Sequence, residues 1–243
     1  MINAIINLLK RIKAKIRKLT LILTGKVNHL KKRVKCGHTW YGSKYGGYYV
    51  CPELLNEKSI IYSFGIGEDI SFDKTLINKY NCSVFCFDPT PKSINWMKRQ
   101  ELPEGLHFFE FGIGTKSGLY DFYLPNNPEN VSSSAVIQNN IDFTRKITVK
   151  MKSLADICNE LGHKHIDILK IDIEGAEYDV IENILSTNIS ITQLLVEFHD
   201  RLVENGITKG KQIIKKLISY NYGIFAVSDS FEEISFINRN ALI

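Results

Sequence analysis

The chain has 243 residues, of which 44% are hydrophobic and 23% are charged, a composition typical of globular proteins. It is long enough for one sizeable core, and the composition excludes a chain that is disordered over its whole length. No stretch reaches the roughly 18 uninterrupted apolar residues that a membrane-spanning helix needs. Five cysteines, an odd number with no secretory signal before them, favour structural thiols in a reducing, cytoplasmic setting.

Positive charge is concentrated near the N-terminus. Residues 1–36 hold eleven of the 31 Lys and Arg residues and no acid, so the rest of the chain carries 20 bases against 26 acids. Apolar residues recur at helical spacing in this segment, at Ile5, Leu8, Leu9, Ile12, Ile16, Leu19 and Leu23. The pattern predicts a basic amphipathic helical segment, separate from a domain over residues 37–243.

A basic amphipathic helix has more than one use. It can lie peripherally on the inner face of an anionic membrane, or it can pack on its own domain or on a second copy of the chain in a homo-oligomer. Nucleic acid is disfavoured as a partner, because no aromatic residues are interleaved with the bases of this helix.

Beyond the basic segment, apolar runs of strand length alternate with helical patterns. Strands are predicted at 59–65, 83–88, 106–112, 166–172 and 192–198, and helices at 69–80, 91–100, 153–162, 176–185 and 206–222. Residues 223–237 predict two further strands around a polar turn. Strands separated by helices indicate an α/β fold with a parallel sheet covered on both faces, to which the last two strands add an antiparallel hairpin.

The first two predicted strands end in residues that suit a nucleoside. Gly65 and Gly67 follow the first strand, where glycine lets the backbone turn sharply and approach a ligand closely. Asp88 closes the second strand about twenty residues later, where a carboxylate can accept hydrogen bonds from both ribose hydroxyls. A dinucleotide fingerprint would need a third glycine in place of Ile70, so pyrophosphate binding is disfavoured. Asp88 as a turn residue ahead of Pro89 is the structural alternative.

Ionisable residues end the later strands. Asp172 lies at the predicted end of the fourth strand, and Glu197 and His199 follow the fifth. Parallel strands bring these ends to one edge of the sheet, and because an unpaired buried carboxylate is unfavourable, their gathering there indicates a functional use. Glu174 and Glu177 can instead be acids in the first turn of the next helix, an interpretation that suits Glu177 better than it suits Asp172.

On these residues the sequence resembles the FkbM-type family of S-adenosylmethionine-dependent methyltransferases. The stretches that carry the resemblance are 43-SKYGGYYV-50, 61-IYSFGIGEDISFD-73, 87-FDPTP-91, 166-IDILKIDIEGAEYDVIENIL-185 and 195-LVEFH-199. KIDIEGAE is the most specific of them, and the basic segment lies outside the resemblance. The family implies a Rossmann-like class I methyltransferase fold, with a seven-stranded, mostly parallel sheet and an antiparallel last strand. It also implies O-methylation, often of sugar hydroxyls in glycans or natural products.

The resemblance implies roles for individual residues in binding S-adenosylmethionine. Phe64, Gly65 and Gly67 would flank the methionine part, Asp88 would hold the ribose, Phe111 and Gly112 would lie near adenine, and Asp172 would lie near the transferable methyl group. Asp69 and Pro89 belong to the same expected cofactor site.

The expected reaction is an in-line displacement, in which holding the acceptor oxygen behind the methyl carbon supplies much of the rate. His199 and Asp172 are the candidate general bases, and Glu174 and Glu197 would orient the acceptor or the base. A divalent cation among these four residues is an alternative. Two other functions stay open: an NAD-dependent oxidoreductase on the same sheet, and a non-catalytic, membrane-associated binding protein that depends on the basic helix.

Overall fold

The computed structural model describes residues 2–125 and 141–242. Residues 126–140 lie outside the described residues. So do Met1, the first residue of the predicted basic segment, and Ile243, the last residue of the predicted domain. The strands are β1 (Thr39–Tyr41), β2 (Tyr48–Val50), β3 (Ile60–Phe64), β4 (Ser83–Phe87), β5 (Leu106–Phe109), β6 (Gly112–Ile113), β7 (Gly118–Pro125), β8 (Ile141–Lys152), β9 (His165–Ile171), β10 (Ser190–Glu197), β11 (Tyr222–Val227) and β12 (Glu233–Asn238). The α-helices are α1 (Ile2–Leu23), α2 (Ser71–Tyr80), α3 (Pro91–Met97), α4 (Leu154–Leu161), α5 (Glu177–Leu185) and α6 (Gly206–Ser219).

Seven strands form the central sheet in the order β11-β12-β10-β9-β3-β4-β5. β12 runs antiparallel to both of its neighbours, and the other pairs are parallel. This confirms the predicted class I methyltransferase arrangement, in which the last strand of the chain is the antiparallel one. The strand order reverses between β3 and β9, and ligands of such sheets bind outside the carboxyl ends of the strands at that point.

The central strands are buried on both faces, as expected for a parallel sheet covered by helices. In β9, Leu169 and Ile171 join one hydrophobic cluster, while Ile168 on the opposite face joins the other. Lys170 is a charged exception in this strand, with only 4% of its surface exposed. Its Nζ donates a hydrogen bond to the backbone oxygen of Gly65 at 3.2 Å, so its charge is directed toward the carboxyl edge of the sheet.

A second sheet was not predicted from the sequence. β6, β8 and β7 form it in that order, with β7 and β8 antiparallel. It places Phe122 and Met151 beside the carboxyl ends of the central strands. The predicted third strand, 106–112, is divided between the two sheets, because β5 ends at Phe109 and β6 begins at Gly112.

In the N-terminal segment α1 ends at Leu23 and a short 3₁₀ helix follows at Asn28–Leu30, so the described residues of the basic segment are helical over part of its length. Leu30 belongs to the main hydrophobic cluster, and the amides of Arg33 and Val34 both donate to the backbone oxygen of Ile224 on β11. The chain after α1 is therefore attached to the domain at Leu30 and at the backbone of Arg33 and Val34. The side chains of Ile5, Leu8 and Leu9 lie outside the described part of the chain.

Within the described residues, no helix is long and apolar enough to cross a membrane. The five cysteines are all free thiols, and four of them are buried, in agreement with the structural role predicted for them.

Candidate active site

A cavity of about 500 Å³ opens at the carboxyl ends of β3, β4 and β9. All but one of the residues predicted to bind the cofactor line this cavity. They are Phe64, Gly65, Gly67, Asp69, Asp88, Pro89, Gly112 and Asp172. The exception is Phe111, whose ring is buried and packs on Phe87 with ring centroids 5.4 Å apart. The structure thus brings these residues to one cavity but turns Phe111 into the core.

The loop after β3 is held by two unusual backbone positions. Gly65 has φ +73°, and a Cβ atom there would lie 1.6 Å from the backbone oxygen of Asp172. Glycine is therefore required because the ends of β3 and β9 approach each other too closely for any side chain. Gly67 has φ +54°, and its amide donates to Oδ2 of Asp88 at 3.1 Å.

Asp88 is 4% exposed and forms both the turn and the cavity wall. Its Oδ1 accepts hydrogen bonds from the backbone amide of Thr90 at 2.9 Å and from the Thr90 hydroxyl at 2.6 Å. Burial raises the pKa of Asp88, and these hydrogen bonds act against that rise. Since each carboxylate oxygen can accept more than one hydrogen bond, Oδ2 keeps a lone pair beyond the one used by Gly67. The turn role and the predicted ribose role of Asp88 are therefore compatible.

Asp69 links the loop after β3 to the turn between β1 and β2. Its Oδ1 accepts from the amide of Ser71 at 2.8 Å, and its Oδ2 accepts from the hydroxyl of Ser43 at 2.6 Å. Burial raises the pKa of Asp69, but the hydrogen bonds from Ser43 and Ser71 outweigh it and the pKa is lowered overall. An ionised carboxylate thus occupies the N-terminus of α2. The hydroxyl oxygen of Ser43 in turn accepts from the amides of Tyr45 and Gly46, which line the cavity mouth.

The four predicted catalytic residues meet around His199, which is 2% exposed. Its Nε2 lies 3.7 Å from Oδ1 of Asp172, 3.6 Å from Oε2 of Glu174 and 3.5 Å from Oε1 of Glu197. On the other side of the ring, Nδ1 is 2.5 Å from Oε1 of Glu177. Asp172 and Glu174 also line the cavity, so this cluster and the cavity share a wall.

Glu177 is an acid in the first turn of α5, as one interpretation of the sequence had it. Its side chain is nevertheless 0% exposed, and Oε1 also accepts from the amide of Gly175 at 3.0 Å. Glu174 lies outside the helix with φ +54°, and Gly175 follows with φ +102°. This left-handed pair turns the chain so that the first residue of α5 faces His199 rather than solvent.

The charges in the cluster shift one another's ionisation. Burial acts to lower the pKa of His199, but the hydrogen bond and the charge of Glu177, helped by Asp172 and Glu174, raise it to about 10. Burial and the charge of Asp172 raise the pKa of Glu197 to about 8. Burial also raises the pKa of Asp172. With no cation bound, the surrounding carboxylates therefore favour the protonated form of the His199 ring.

Sequence patterns missed three residues of the site. Lys170 was hidden within a strand pattern, Tyr45 within a glycine-rich loop, and Glu177 at a position that also suits a helix acid. The position of each depends on contacts between distant segments. The one available signal was the KIDIEGAE motif, which contains both Lys170 and Glu177.

Comparison with known proteins identifies the family. A profile of the FkbM methyltransferase domain matches residues 59–224, which is more than half of the chain. The chain belongs to the FkbM methyltransferase family. This confirms the resemblance carried by the motifs at the strand ends.

Two curated relatives and one solved structure are similar to this FkbM-family chain. The probable methyltransferase-like protein 24 of Homo sapiens is 30% identical over 150 residues, which cover 60% of this chain and 34% of that protein. The chain thus spans about a third of the length of that relative. The 2-O-methyltransferase NoeI of Sinorhizobium fredii is 25% identical over 175 residues, covering 66% of this chain and 72% of NoeI.

The solved structure is the methyltransferase FkbM from Methylobacillus flagellatus KT. It has a TM-score of 0.49 at 13% sequence identity, over 78% of this chain and 46% of that one. The fold assignment rests on the sheet order described above rather than on this likeness.

Proposed function

We propose that this FkbM-family chain is an S-adenosylmethionine-dependent O-methyltransferase that acts on a sugar hydroxyl. The observation that carries the proposal is the charge of the cavity. In the described part of the chain, its lining contains five carboxylates and one ammonium group, those of Glu68, Asp69, Asp88, Asp172, Glu174 and Lys170. Such a wall favours a cationic ligand, and S-adenosylmethionine carries a sulfonium and an ammonium group against one carboxylate.

The same wall disfavours NAD. A diphosphate would bind at the N-terminus of α2, where the amide of Ser71 already donates to the carboxylate of Asp69. Ile70 precedes that helix and is 3% exposed, so there is no glycine to let a diphosphate approach the backbone. The negative charge of a diphosphate would therefore lie beside the negative charge of Asp69.

The residues of the cavity fit the proposed donor. Asp88 would accept a hydrogen bond from a ribose hydroxyl through Oδ2, while Gly112 and Met151 bound the far side of the cavity. A Cβ atom at position 112 would lie 2.8 Å from Sδ of Met151, so a glycine is needed for this wall to close. The bound cofactor would supply a methyl carbon made electrophilic by its positively charged sulfur.

The cluster around His199 is suited to an oxygen acceptor. A sugar hydroxyl needs to lose its proton, and a group whose pKa lies near the working pH takes up that proton most efficiently. The pKa of Asp172, on the cavity wall, is raised by burial, and burial and the charge of Asp172 raise the pKa of Glu197, beside the wall, to about 8. NoeI, a relative named as a 2-O-methyltransferase, supports an oxygen acceptor. The ring of Tyr45, 86% exposed at the mouth, offers an aromatic face to a sugar ring.

We also propose that α1 holds the enzyme on an anionic membrane surface. Apolar residues of its described part point to solvent, namely Ile12, Ile16, Leu19, Ile22 and Leu23. Exposed bases such as Lys13 and Lys15 flank that face, and each base near an anionic surface contributes on the order of 1 kcal/mol. Association with a second copy of the chain is the competing outcome.

Thermal unfolding with S-adenosylhomocysteine tests the proposed function. A ligand at about one hundred times its dissociation constant stabilises by about 2.7 kcal/mol, which raises the melting temperature by several degrees. We expect this shift with S-adenosylhomocysteine, no shift with NAD, and no shift in a folded Asp88→Ala variant. A shift with NAD alone would support the oxidoreductase, and no shift with either ligand would contradict the proposal.

A further inference from the structure

In the described structure, only one ring nitrogen of His199 makes a short hydrogen bond, although the residue is 2% exposed. Nδ1 is fixed by Glu177, which is itself held by the amide of Gly175. Nε2 points the other way, toward three carboxylates. The oxygens of Asp172, Glu174 and Glu197 are 3.7 Å, 3.6 Å and 3.5 Å from it, which is longer than an ordinary hydrogen bond in each case.

These separations suit a cation between the atoms better than direct contact. Oxygen and nitrogen ligands lie about 2.0–2.2 Å from small divalent cations, which places tetrahedral ligand atoms roughly 3.4 Å apart. One ligand atom each from Asp172, Glu174 and His199 lies within 4.8 Å of the others. Only small side-chain movements are needed to close this group on an ion.

The charge of the cluster also calls for a cation. Four carboxylates surround one buried imidazole ring; the side chain of Glu177 is 0% exposed, and those of Asp172 and Glu174 are 24% exposed. Lys170 lies at the same edge, with its Nζ bonded to the backbone oxygen of Gly65. Lys170 and His199 together carry at most two positive charges against the four carboxylates, and an excess of like charge in a partly buried site is unfavourable. A divalent ion would offset two of these negative charges.

Glu177 supplies the support that metal-bound histidines generally have. A ligating histidine usually donates its other N–H to a carboxylate, which fixes the tautomer and the ring orientation. The pair of Glu177 and His199 has this geometry, at 2.5 Å. Glu177 would therefore be a positioning residue, because it acts on the ion through His199.

We infer that Asp172, Glu174 and His199 bind a divalent cation, and that the cation accepts the substrate hydroxyl as a further ligand. The first part stands on the cluster alone, and the second rests on the proposed function. A bound cation polarises the O–H bond of the hydroxyl, which lowers its pKa. The bond then breaks with its electron pair kept on oxygen, and the proton passes to the carboxylate of Glu197, which is not among the three ligands.

Titration with Mn²⁺ tests the site, using the full chain after treatment with a chelator. Isothermal calorimetry measures the binding, and the paramagnetic resonance of the ion reports its ligands. We expect saturable binding at one site, and a nitrogen coupling in the pulsed resonance spectrum that is lost in His199→Gln. Glu174→Gln should weaken Mn²⁺ binding at least about tenfold. This variant should fold, because Glu174 is partly exposed and lies in a loop.

Glu57→Gln is the matched control, because Glu57 is exposed and precedes β3 at the opposite edge of the sheet. It should bind Mn²⁺ as the unmodified chain does. Asp88→Ala should also keep Mn²⁺ while losing S-adenosylhomocysteine, and Glu174→Gln should do the reverse, so failure of the metal site and failure of the proposed function are distinguishable. The inference is overturned if the folded chain binds none of Mn²⁺, Mg²⁺ and Zn²⁺, or if Glu174→Gln binds Mn²⁺ as tightly as Glu57→Gln.

Discussion

Two regions of the molecule reverse the usual distribution of polar and apolar side chains, in opposite senses. At the carboxyl edge of the sheet, charged groups lie inside, with His199 and Glu177 almost wholly buried. On α1, apolar groups lie outside, with Ile16 59% and Leu23 82% exposed. Both arrangements are unfavourable for a chain alone in water, so both indicate contact with something else.

The two regions differ in how they are held. The buried cluster is fixed by short hydrogen bonds and by backbone that admits no side chain at Gly65. The described contacts of α1 include surface ion pairs, such as Arg17 with Glu232 and Lys18 with Asp229. The proposed chemistry at the sheet edge therefore depends on geometry, whereas the proposed membrane contact of α1 depends on composition and exposure. Substitutions should affect the two regions differently.

The largest effect is expected where the geometry is tightest. Gly65→Ala should destabilise the fold by about 4 kcal/mol or more, because its Cβ would lie 1.6 Å from the backbone oxygen of Asp172. Gly162→Ala is the matched control, since Gly162 has the same φ of +73° but no described atom within 4 Å of that position. It should cost only about 1 kcal/mol, from backbone strain alone. Urea unfolding of both variants measures the difference, and equal losses would contradict the close approach of β3 and β9.

A smaller effect, on membrane binding rather than folding, is expected on α1. Ile16→Ser combined with Leu19→Ser should reduce sedimentation with anionic vesicles on the order of tenfold or more, because each buried aliphatic side chain contributes about 1.5–3 kcal/mol. Unfolding should change by less than about 0.5 kcal/mol, since both side chains are exposed. Leu119→Ser, at a residue 75% exposed on β7, is the control and should sediment normally. Equal sedimentation of all three proteins would remove the membrane proposal, and a change in oligomeric state would favour a second copy.

The hydrogen bond between Ser43 and Asp69 should contribute an amount of folding stability that depends on pH. Its loss should cost less than Gly65→Ala and more than the loss of an exposed ion pair. The pKa of Asp69 is lowered on folding, so its ionised form contributes stability that is present above the unfolded value of 3.8 and is lost as pH falls through the lower folded value. Ser43→Ala should therefore cost about 1–2 kcal/mol near neutral pH, and less in acid.

A pH-independent part of that loss should remain, because the amides of Tyr45 and Gly46 also donate to the hydroxyl of Ser43. Ser186→Ala, which removes an exposed hydroxyl bonded only to the backbone oxygen of Asn183 in the described structure, is the control. Its effect should not vary with pH. Thermal melts between pH 2.5 and 7 compare the two, and parallel curves would show that Asp69 gains nothing from Ser43.

Features that follow from a local sequence pattern could be predicted, whereas features that depend on the exact geometry of the fold could not. The central sheet was predicted because its strands are apolar runs separated by helices, a local pattern with a known topology. Asp172 and His199 could be placed together because strand ends in a parallel sheet share an edge. The second sheet was missed, since β7 and β8 contain no apolar run of the kind that marks a central strand and leave side chains such as Leu119 in solvent.

Glu177 could not be assigned from spacing. An acid at the first position of a helix is favoured by the dipole whether it faces water or the core. The left-handed turn at Glu174 and Gly175 directs the side chain of Glu177 into the core, and a glutamate in that conformation has no clear sequence signal. The outward face of α1 was likewise undecided, because an amphipathic pattern does not say which face meets the domain.

The smallest effect is expected where α1 meets the domain. Arg17 donates to Glu232 at 2.9 Å, but the pair is partly exposed and Arg201 donates to the same carboxylate oxygen at 3.1 Å. Arg17→Ala should therefore change global unfolding by less than about 1 kcal/mol, while the amides of α1 exchange hydrogen faster. Arg201→Ala keeps the ion pair of Arg17 and should leave exchange in α1 unchanged. If Arg17→Ala instead destabilised β9 and β10 along with α1, the helix would be part of the cooperative core, and its exposed apolar face would not be free to leave the domain for a membrane.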